Sequence, residues 1–310
     1  MRLIRGLYNI TDADKGCAAT IGNFDGVHLG HQAILERLTQ KAQKLGVPST
    51  VIVFEPQPRE FFDPANAPPR LTRLHEKIRM LQRCGIDRVL CLRFNAAFSE
   101  QSPETFVENI ILKGLGVRYL MVGDDFRFGR KRIGDFQLLE RIGQQNGFEV
   151  ERMGSFVLEQ SRVSSTIIRK ALAEGDLTAS SAMLGRPYSL FGRVVHGDKR
   201  GRQIGFPTAN IRLRRIALPV NGVYAVKVKM RDGECYNGVA NIGIRPTVNG
   251  EKPLLETHLF DFSGNIYGET LEVELQHFIR QEQRFDSVEQ LKNQIDQDVL
   301  AAQHVFSIIS

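Results

Sequence analysis

The sequence has few cysteines, no long apolar run and only a small excess of one charge sign. Its four cysteines show no CxxC spacing and no accompanying histidine pattern, which argues against both a disulfide framework and a zinc site. We expect them to be buried thiols in a reducing compartment. The longest apolar runs are far shorter than the roughly 20 residues that cross a bilayer, so no transmembrane helix is predicted.

The charge and the N-terminal residues narrow the class of protein further. Arg2 and Arg5 are not followed by an apolar stretch, so the sequence predicts no secretion signal and a cytoplasmic location. Lys and Arg number 41 against 35 Asp and Glu, a net charge of +6 that suits anionic ligands without deciding between nucleic acid and nucleotide. The mean hydropathy of −0.21 is that of a globular protein. A length of 310 residues allows two domains.

The pattern of the sequence changes near residue 184, which predicts one domain over residues 1–184 and a second over 185–310. In the first, short apolar runs alternate with segments of helical period, as is typical of helices packed on a parallel sheet. The predicted strands are 18–21, 49–54, 88–92, 119–122 and 149–153. The first half is therefore expected to be an α/β domain.

The second half alternates apolar and polar residues at a period of two, which is typical of small antiparallel sheets and barrels. The predicted strands are 189–196, 223–230, 235–242, 256–262 and 271–278. A final helix is indicated by Ser287 and Gln290, whose spacing is that of a capping box. Its apolar face is expected to pack against the barrel.

The segment GNFDGVHLGH, residues 22–31, joins the first of these strands to a helix. Glycines at positions 22, 26 and 30 allow backbone N–H groups to approach a phosphate, and the start of the helix adds partial positive charge. His28 and His31 could then stabilise the charge that develops when a nucleotide α-phosphorus is attacked. The alternative is a turn with a partly exposed helix cap.

Two further segments of the first half have both a functional and a structural interpretation. GDDFRFG, residues 123–129, could form an aromatic flavin pocket, or it could be a charged loop with two core phenylalanines. RVSSTIIR, residues 162–169, offers hydroxyls and a guanidinium to phosphates, although its serines could simply cap a helix.

A basic loop and a tight turn stand out in the second half, within residues 194–211. Lys199, Arg200 and Arg202 could hold phosphates or could be solvated. In the FPTAN turn that follows, Thr208 and Asn210 present two hard oxygen ligands of the kind that Mg²⁺ prefers together with phosphate and water. No Walker A sequence is present, which excludes a P-loop kinase by pattern.

Taken in order, these segments resemble the bacterial bifunctional riboflavin kinase/FMN adenylyltransferase family, the FAD synthetases. FEPQP (54–58), RLTRLHEK (70–77), GVANIGIRPTV (238–248), LETHLFDFSGNIYGE (255–269) and FIRQEQRFDSVEQL (278–291) extend the resemblance over nearly the whole chain. It implies a Rossmann-like α/β nucleotidyltransferase domain of the HxGH group, followed by a small antiparallel β-barrel riboflavin kinase domain with a C-terminal helix. The barrel would phosphorylate riboflavin to FMN, and the α/β domain would adenylylate FMN to FAD.

The resemblance also implies residue roles, with riboflavin, FMN, FAD and ATP as substrates or products and Mg²⁺ as cofactor. His28 and His31 would act in adenylyl transfer, and Glu256 would be the general base on the ribityl 5′-hydroxyl. The implied ATP-binding residues are Gly22, Phe24, Asp25, Gly30, Ser164, Ser165, Thr166, Arg169, Gly201, Gly205, Thr208 and Asn210. The implied flavin-binding residues are Asp125, Phe126, Phe128 and Arg162, and the implied metal ligands are Thr208 and Asn210. Asn265 departs from the acidic residue that is usual in the family.

Three alternatives stay open at this point. Only one half could be active, the chain could carry flavin without turnover, or it could be a basic RNA-binding protein. The sequence lacks RNP-like basic and aromatic runs, so we expect small-molecule substrates and neither a nucleic-acid nor a membrane partner. The oligomeric state is not encoded in any pattern of the sequence.

Overall fold

The structure is a computed structural model that describes residues 1–154, 156–158, 161–197, 205–247 and 250–309. It contains two compact units, one of Met1–Pro68 and Thr72–Ser164, the other of Pro69–Leu71 and Ser165–Ser310. The boundary between the two units, after Ser164, lies about 20 residues before the change of sequence pattern at residue 184. The domain limits 1–184 and 185–310 stay a prediction.

The first unit is built on a six-stranded parallel sheet with the strand order β1-β4-β3-β2-β5-β6. Its strands are β1 Arg2–Arg5, β2 Cys17–Ile21, β3 Ser49–Glu55, β4 Arg88–Arg93, β5 Val117–Gly123 and β6 Glu149–Met153. Its helices are α1 Leu29–Leu45, α2 Pro58–Phe62, α3 Leu74–Arg83, α4 Ala96–Ser99, α5 Pro103–Phe106, which runs into a π-helix over Val107–Gly114, and α6 Phe136–Asn146. A short hairpin, β7 Val157–Leu158 and β8 Ser161–Arg162, ends the unit.

The core of the first unit follows from strands that are apolar on both faces. β2 is buried at all five positions, because one face packs in a cluster with Leu90 and Ile110 and the other in a cluster with Leu35 and Leu38. Strands covered on both faces read as continuous apolar runs, which is why β2, β3, β4 and β5 are evident from the sequence. The edge strand β6 is partly exposed, yet it is confirmed too, and all five predicted strands agree to within two residues at each end. The edge strand β1 was not predicted.

The second unit is a closed six-stranded barrel in the order β10-β13-β12-β11-β14-β9. Its strands are β9 Ser189–Val195, β10 Ala209–Arg212, β11 Gly222–Lys229, β12 Cys235–Thr247, β13 Gly250–Leu259 and β14 Thr270–Arg280. Its helices are α7 Ser165–Ala173, α8 Leu177–Leu184 and α9 Val288–Ile309. All pairings are antiparallel, which confirms the predicted barrel.

The final helix begins and packs as expected, with one change in its cap. Ser287 Oγ accepts the N–H of Gln290 at 3.1 Å, but the Gln290 side chain accepts the N–H of Asp286, at 3.2 Å, and not that of the cap residue. Ala302 of α9 is fully buried against Val223 and Val239 of the barrel. Within the described part of the chain, no helix is long and apolar enough to cross a membrane.

Candidate active sites

Two of the predicted segments leave neighbouring strands of the parallel sheet at the same edge. β2 and β5 are neighbouring parallel strands in the sheet. From β2 the chain continues to β3 on one side, and from β5 it continues to β6 on the other side, so the strand order runs in opposite directions from this point. This reversal of strand order opens a crevice at the carboxyl ends of the two strands, where open α/β sheets bind ligands. The segments 22–28 and 124–128 both begin there.

His28 and His31 come together at the start of α1, as the spacing predicted. His28 is the N-cap residue, and its Nδ1 accepts the backbone N–H of His31 at 3.3 Å. The imidazole rings stack with their centroids 3.7 Å apart. Because Nδ1 of His28 acts as an acceptor, the neutral ring carries its proton on Nε2, which is the donor nitrogen.

Burial keeps His31 neutral. Removal from water, followed by the proximity of His28 and of Lys77, holds the pKa of His31 well below its usual value of 6.5. Lys77 lies on α3 and is 1% exposed. Two imidazoles at the start of a helix, with a buried lysine close to His31, form a site that favours an anion.

The loop between β2 and α1 is held in an unusual conformation. Phe24 and Val27 have φ angles of +45° and +41°, in the left-handed region that side chains disfavour, and Gly26 has a φ of +84°. Both non-glycine residues are almost fully buried. Such backbone persists only where surrounding contacts determine it, and it is typical of binding sites.

Those contacts come from Thr72, which sequence reasoning did not single out. The buried carboxylate of Asp25 accepts the Thr72 backbone N–H at 2.9 Å and its hydroxyl at 3.2 Å. The same hydroxyl oxygen accepts the N–H of Gly26 at 3.0 Å. Asp25, predicted to bind ATP, is thus engaged in shaping the loop.

Gly22 and Gly30 are favoured by close packing and not by a left-handed φ. A Cβ at Gly30 would come within 3.3 Å of the His28 ring and of Phe156 Cβ, and one at Gly22 would come within 3.1 Å of the Phe24 ring. Larger residues at either position would displace the aromatic rings around the histidine pair.

A cavity of about 690 Å³ in the first unit is lined mainly by aromatic rings. Its phenylalanines are Phe54, Phe62, Phe94, Phe98, Phe106, Phe126 and Phe128. Cationic side chains also line it, namely Arg59, Arg127, Lys131 and Arg132. Apolar rings beside cations suit a flat aromatic ligand that carries a phosphate.

The predicted flavin residues divide into two groups. Phe126 and Phe128 line the cavity, with their rings stacked at a centroid distance of 5.6 Å. Asp125 and Arg162 are not among its lining residues as described; their side chains pair with each other at 3.3 Å and are largely exposed.

The predicted phosphate-binding segment 164–169 spans the division between the two units. Ser164 is the last residue of the first unit, and α7 begins at Ser165, so Thr166 lies in its first turn. Arg169 donates from Nε to the carbonyl of Pro69 at 2.7 Å, a contact within the second unit. The hydroxyls therefore lie at a helix start, where anions are favoured.

In the barrel, Thr208 and Asn210 line a cavity of about 330 Å³ together with Thr257 and Tyr267. The FPTAN segment is only partly a turn, contrary to prediction, because β10 begins at Ala209 and makes Asn210 a strand residue. A Cβ at Gly197 would overlap the Asn210 carboxamide, so the glycine leaves room for it.

His258 anchors the same segment, a role that the sequence did not indicate. Its Nδ1 lies 2.9 Å from the carbonyl oxygen of Pro207, which can only accept, so this nitrogen carries the proton. Phe206 packs edge-on against the His258 ring at 5.6 Å. This contact fixes the backbone next to Thr208, which lines the cavity.

Glu256 lies on β13 directly opposite Asn210 of β10 and Asn241 of β12. The predicted base and the predicted metal ligand Asn210 are therefore neighbours on one face of the barrel wall. Gly205 has a φ of +93°, which requires glycine. Gly201, with Lys199, Arg200 and Arg202, lies outside the described residues.

The barrel site has the donors that magnesium uses. Thr208 and Asn210, which both line the cavity, offer neutral oxygens. No group of three His, Cys, Asp or Glu able to hold a metal occurs in the described part of the chain. This donor set fits Mg²⁺ held largely through phosphate and water, and does not resemble an all-protein cage.

Asn265, the departure noted in the sequence, has a local role in the structure. Its Oδ1 accepts the backbone N–H of Tyr267 at 3.2 Å, as a carboxylate oxygen at that position would also do. The Tyr267 ring in turn packs 4.0 Å from His196 beside the cavity.

Comparison with known proteins assigns a family to each half. Residues 10–167 match the family described as FAD synthetase, and residues 184–306 match the family described as riboflavin kinase. A bifunctional riboflavin kinase/FMN adenylyltransferase of Haemophilus influenzae is 53% identical over 307 residues, covering 99% of this chain and 100% of its own. The Escherichia coli K12 protein of the same description is 48% identical, covering 99% of each chain.

A solved structure shares the whole architecture. The crystal structure described as a macrolide-efflux protein from Streptococcus pneumoniae matches with a TM-score of 0.80 and 32% identity, covering 96% of this chain and 97% of that one. The two halves therefore occur in the same order in both proteins.

Proposed function

This chain belongs to the family of bifunctional riboflavin kinase/FMN adenylyltransferases, and from that membership we propose which of its residues carry each reaction. The enzyme phosphorylates riboflavin to FMN and transfers the adenylyl group of ATP to FMN, giving FAD and pyrophosphate. We assign adenylyl transfer to residues 1–184 and the kinase to residues 185–310. The stacked histidine pair at the start of α1 is the observation that carries the first assignment.

In adenylyl transfer, a phosphate oxygen of FMN attacks the α-phosphorus of ATP while the bond to pyrophosphate breaks. His28 Nε2–H and the neutral His31 donate hydrogen bonds to the oxygens on which charge develops, and the start of α1 adds partial positive charge. Lys77, close to His31, adds to the positive potential at the same site. No protein nucleophile is needed, since positioning and charge neutralisation suffice.

Binding of the two substrates is assigned to separate features of the first half. The isoalloxazine ring occupies the phenylalanine-lined cavity, against Phe126 and Phe128. Asp125 and Arg162, which pair with each other outside the lining of the cavity, are assigned to the polar edge of the flavin. Gly22, Phe24, Asp25 and Gly30 shape the ATP site, in part through the contacts of Thr72. Ser164, Ser165, Thr166 and Arg169 hold the phosphates that leave as pyrophosphate.

In the kinase reaction, Glu256 takes the proton of the ribityl 5′-hydroxyl as that oxygen attacks the γ-phosphorus and ADP leaves. Its support is the position of Glu256 directly opposite Asn210, which lines the cavity together with Thr208; Glu256 itself is not among the lining residues described. Gly201 and Gly205 belong to the loop proposed to bind ATP. Thr208 and Asn210 would hold Mg²⁺, which when bound would neutralise phosphate charge.

We place the enzyme in the cytoplasm, acting on small molecules without a nucleic-acid or membrane partner. The net charge of +6 is modest, which supports small anionic ligands in place of a nucleic acid. Incubation of the purified protein with riboflavin, ATP and Mg²⁺, followed by separation of the flavins, tests the whole proposal. We expect FMN first and then FAD; the absence of both would refute it.

A further inference from the structure

A row of polar side chains crosses the outer face of the barrel. Asn210, Glu256 and Asn241 lie directly opposite one another on β10, β13 and β12, so their side chains project to the same face. The next residues along two of these strands, Thr257 and Ala240, are fully buried. Because side chains alternate along a strand, the row faces away from the barrel interior.

The fourth group in this row is Glu282, which follows β14. Asn241 Nδ2 lies 3.4 Å from Glu282 Oε1, in donor geometry. Gly243, two residues along β12, makes room for this carboxylate, since a Cβ there would overlap its oxygens. The chain next to Glu282 is tethered to α9 by Arg280, which donates to both carboxylate oxygens of Asp298 at 2.8 and 2.7 Å.

The Glu282 contact decides how the Asn241 amide is turned. A carboxylate only accepts hydrogen bonds, so the NH₂ group faces Glu282 and the carbonyl Oδ1 faces away. That oxygen is shielded from solvent and has no hydrogen-bond partner among the residues described. A buried acceptor without a donor is costly and rare in folded proteins.

We propose that Asn241 Oδ1 accepts a hydrogen bond from a secondary hydroxyl of the ribityl chain of riboflavin, and that Glu282 is a positioning residue that fixes the amide for it. This rests on the proposed role of Glu256, the neighbour of Asn241, at the 5′-hydroxyl of the same chain. A polyol presents successive O–H donors, which match a row of acceptor oxygens. The inference adds a determinant of substrate specificity that is separate from the phosphoryl-transfer groups.

The test compares riboflavin with analogues that each lack one secondary ribityl hydroxyl, using the full-length protein and ATP. The wild type should prefer riboflavin over one analogue by about tenfold in kcat/KM, the value of one net hydrogen bond. Asn241→Ala should lower kcat/KM for riboflavin by that factor and leave it unchanged for that analogue. The KM for ATP and the formation of FAD from supplied FMN should not change.

Asn237→Ala is the matched control. Asn237 lies on the same face of β12, four residues before Asn241 and opposite Lys227 of β11, so it should keep the wild-type preference. Glu282→Gln should weaken the preference, because a glutamine can donate as well as accept and no longer fixes the amide. If Asn241→Ala does not fold, Asn241→Ser is compared with the same analogues.

A uniform loss of kcat/KM for riboflavin and all analogues would overturn the inference, because a merely structural asparagine affects every substrate alike. An unchanged preference in both Asn241 variants would overturn it as well. Failure of the proposed function is distinguishable, since the wild type itself would then form no FMN.

Discussion

The imidazole rings of His28 and His31 lie face to face, with centroids 3.7 Å apart and planes inclined at 20°. Two imidazolium ions at this separation would repel each other strongly, and removal of the half-buried His31 from water disfavours its protonation in any case. The histidines therefore serve as hydrogen-bond donors more than as permanent charges. Beside the histidine pair, positive potential therefore comes from Lys77 and from the helix start.

His28→Ser should reduce FAD formation from FMN by about 10²- to 10³-fold, as expected for loss of one donor to developing charge. Serine keeps an N-cap acceptor for α1, so the variant should fold. Riboflavin phosphorylation should be unchanged when measured separately in the same preparation. Full FAD formation by this variant would contradict the assignment.

Glu256→Gln should show the reverse pattern. Glutamine cannot take the proton of the ribityl hydroxyl, so FMN formation should fall by about 10²- to 10⁴-fold. FAD formation from supplied FMN should persist, and it serves as the control for folding. A variant that loses both activities equally would point to a structural effect.

Replacing His31 should change how stability depends on pH. The pKa of His31 in the folded protein lies below its unfolded value, so the unfolded chain binds the extra proton. This contribution to stability is fully present above pH 6.5 and is lost as pH falls below it, at up to about 1.4 kcal/mol per pH unit. Thermal melts from pH 7.5 to 5 should show His31→Gln losing less stability than the wild type; parallel curves would refute this.

Thr72→Val should impair adenylyl transfer by loosening the loop between β2 and α1. It removes a buried hydroxyl that donates to Asp25 and accepts from the Gly26 N–H, and loss of such hydrogen bonds costs about 1–3 kcal/mol. We expect a lower melting temperature and a higher KM for ATP in FAD formation. Thr72→Ser, which keeps the hydroxyl, should restore both values towards those of the wild type.

Lys77→Met should raise the pKa of His31, because the lysine is one of the charges that lower it. The ring resonances of His31, followed by NMR against pH, measure the shift directly. FAD formation should fall while the kinase activity is kept. If the pKa of His31 does not change, the Lys77 ammonium group does not influence the His31 ring.

Sequence patterning predicted the central strands of the sheet because they are apolar on both faces. It did not predict β1, which carries Arg2 and Arg5 at its ends and pairs on one side only. It also assigned residues 207–210 to a turn, since the proline obscured the strand that Ala209 begins and that pairs on both sides.

The candidate sites were predictable where their residues are neighbours in sequence. His28 and His31 are three residues apart, and helix geometry alone brings them together. The pairing of Asp25 with Thr72 joins residues 47 apart, and that of Asn241 with Glu282 joins residues 41 apart. Such contacts depend on the tertiary fold, so periodicity and local motifs could not indicate them.

Closure of the barrel has a consequence for solubility. Each of its six strands has a neighbour on both sides, so the folded barrel offers no strand edge for another chain to extend. The parallel sheet has two edges, β1 and β6, and both carry charge, with Arg2 and Arg5 on one and Glu149 and Glu151 on the other. Short, charged edges discourage intermolecular pairing, so aggregation of this enzyme should require unfolding before association.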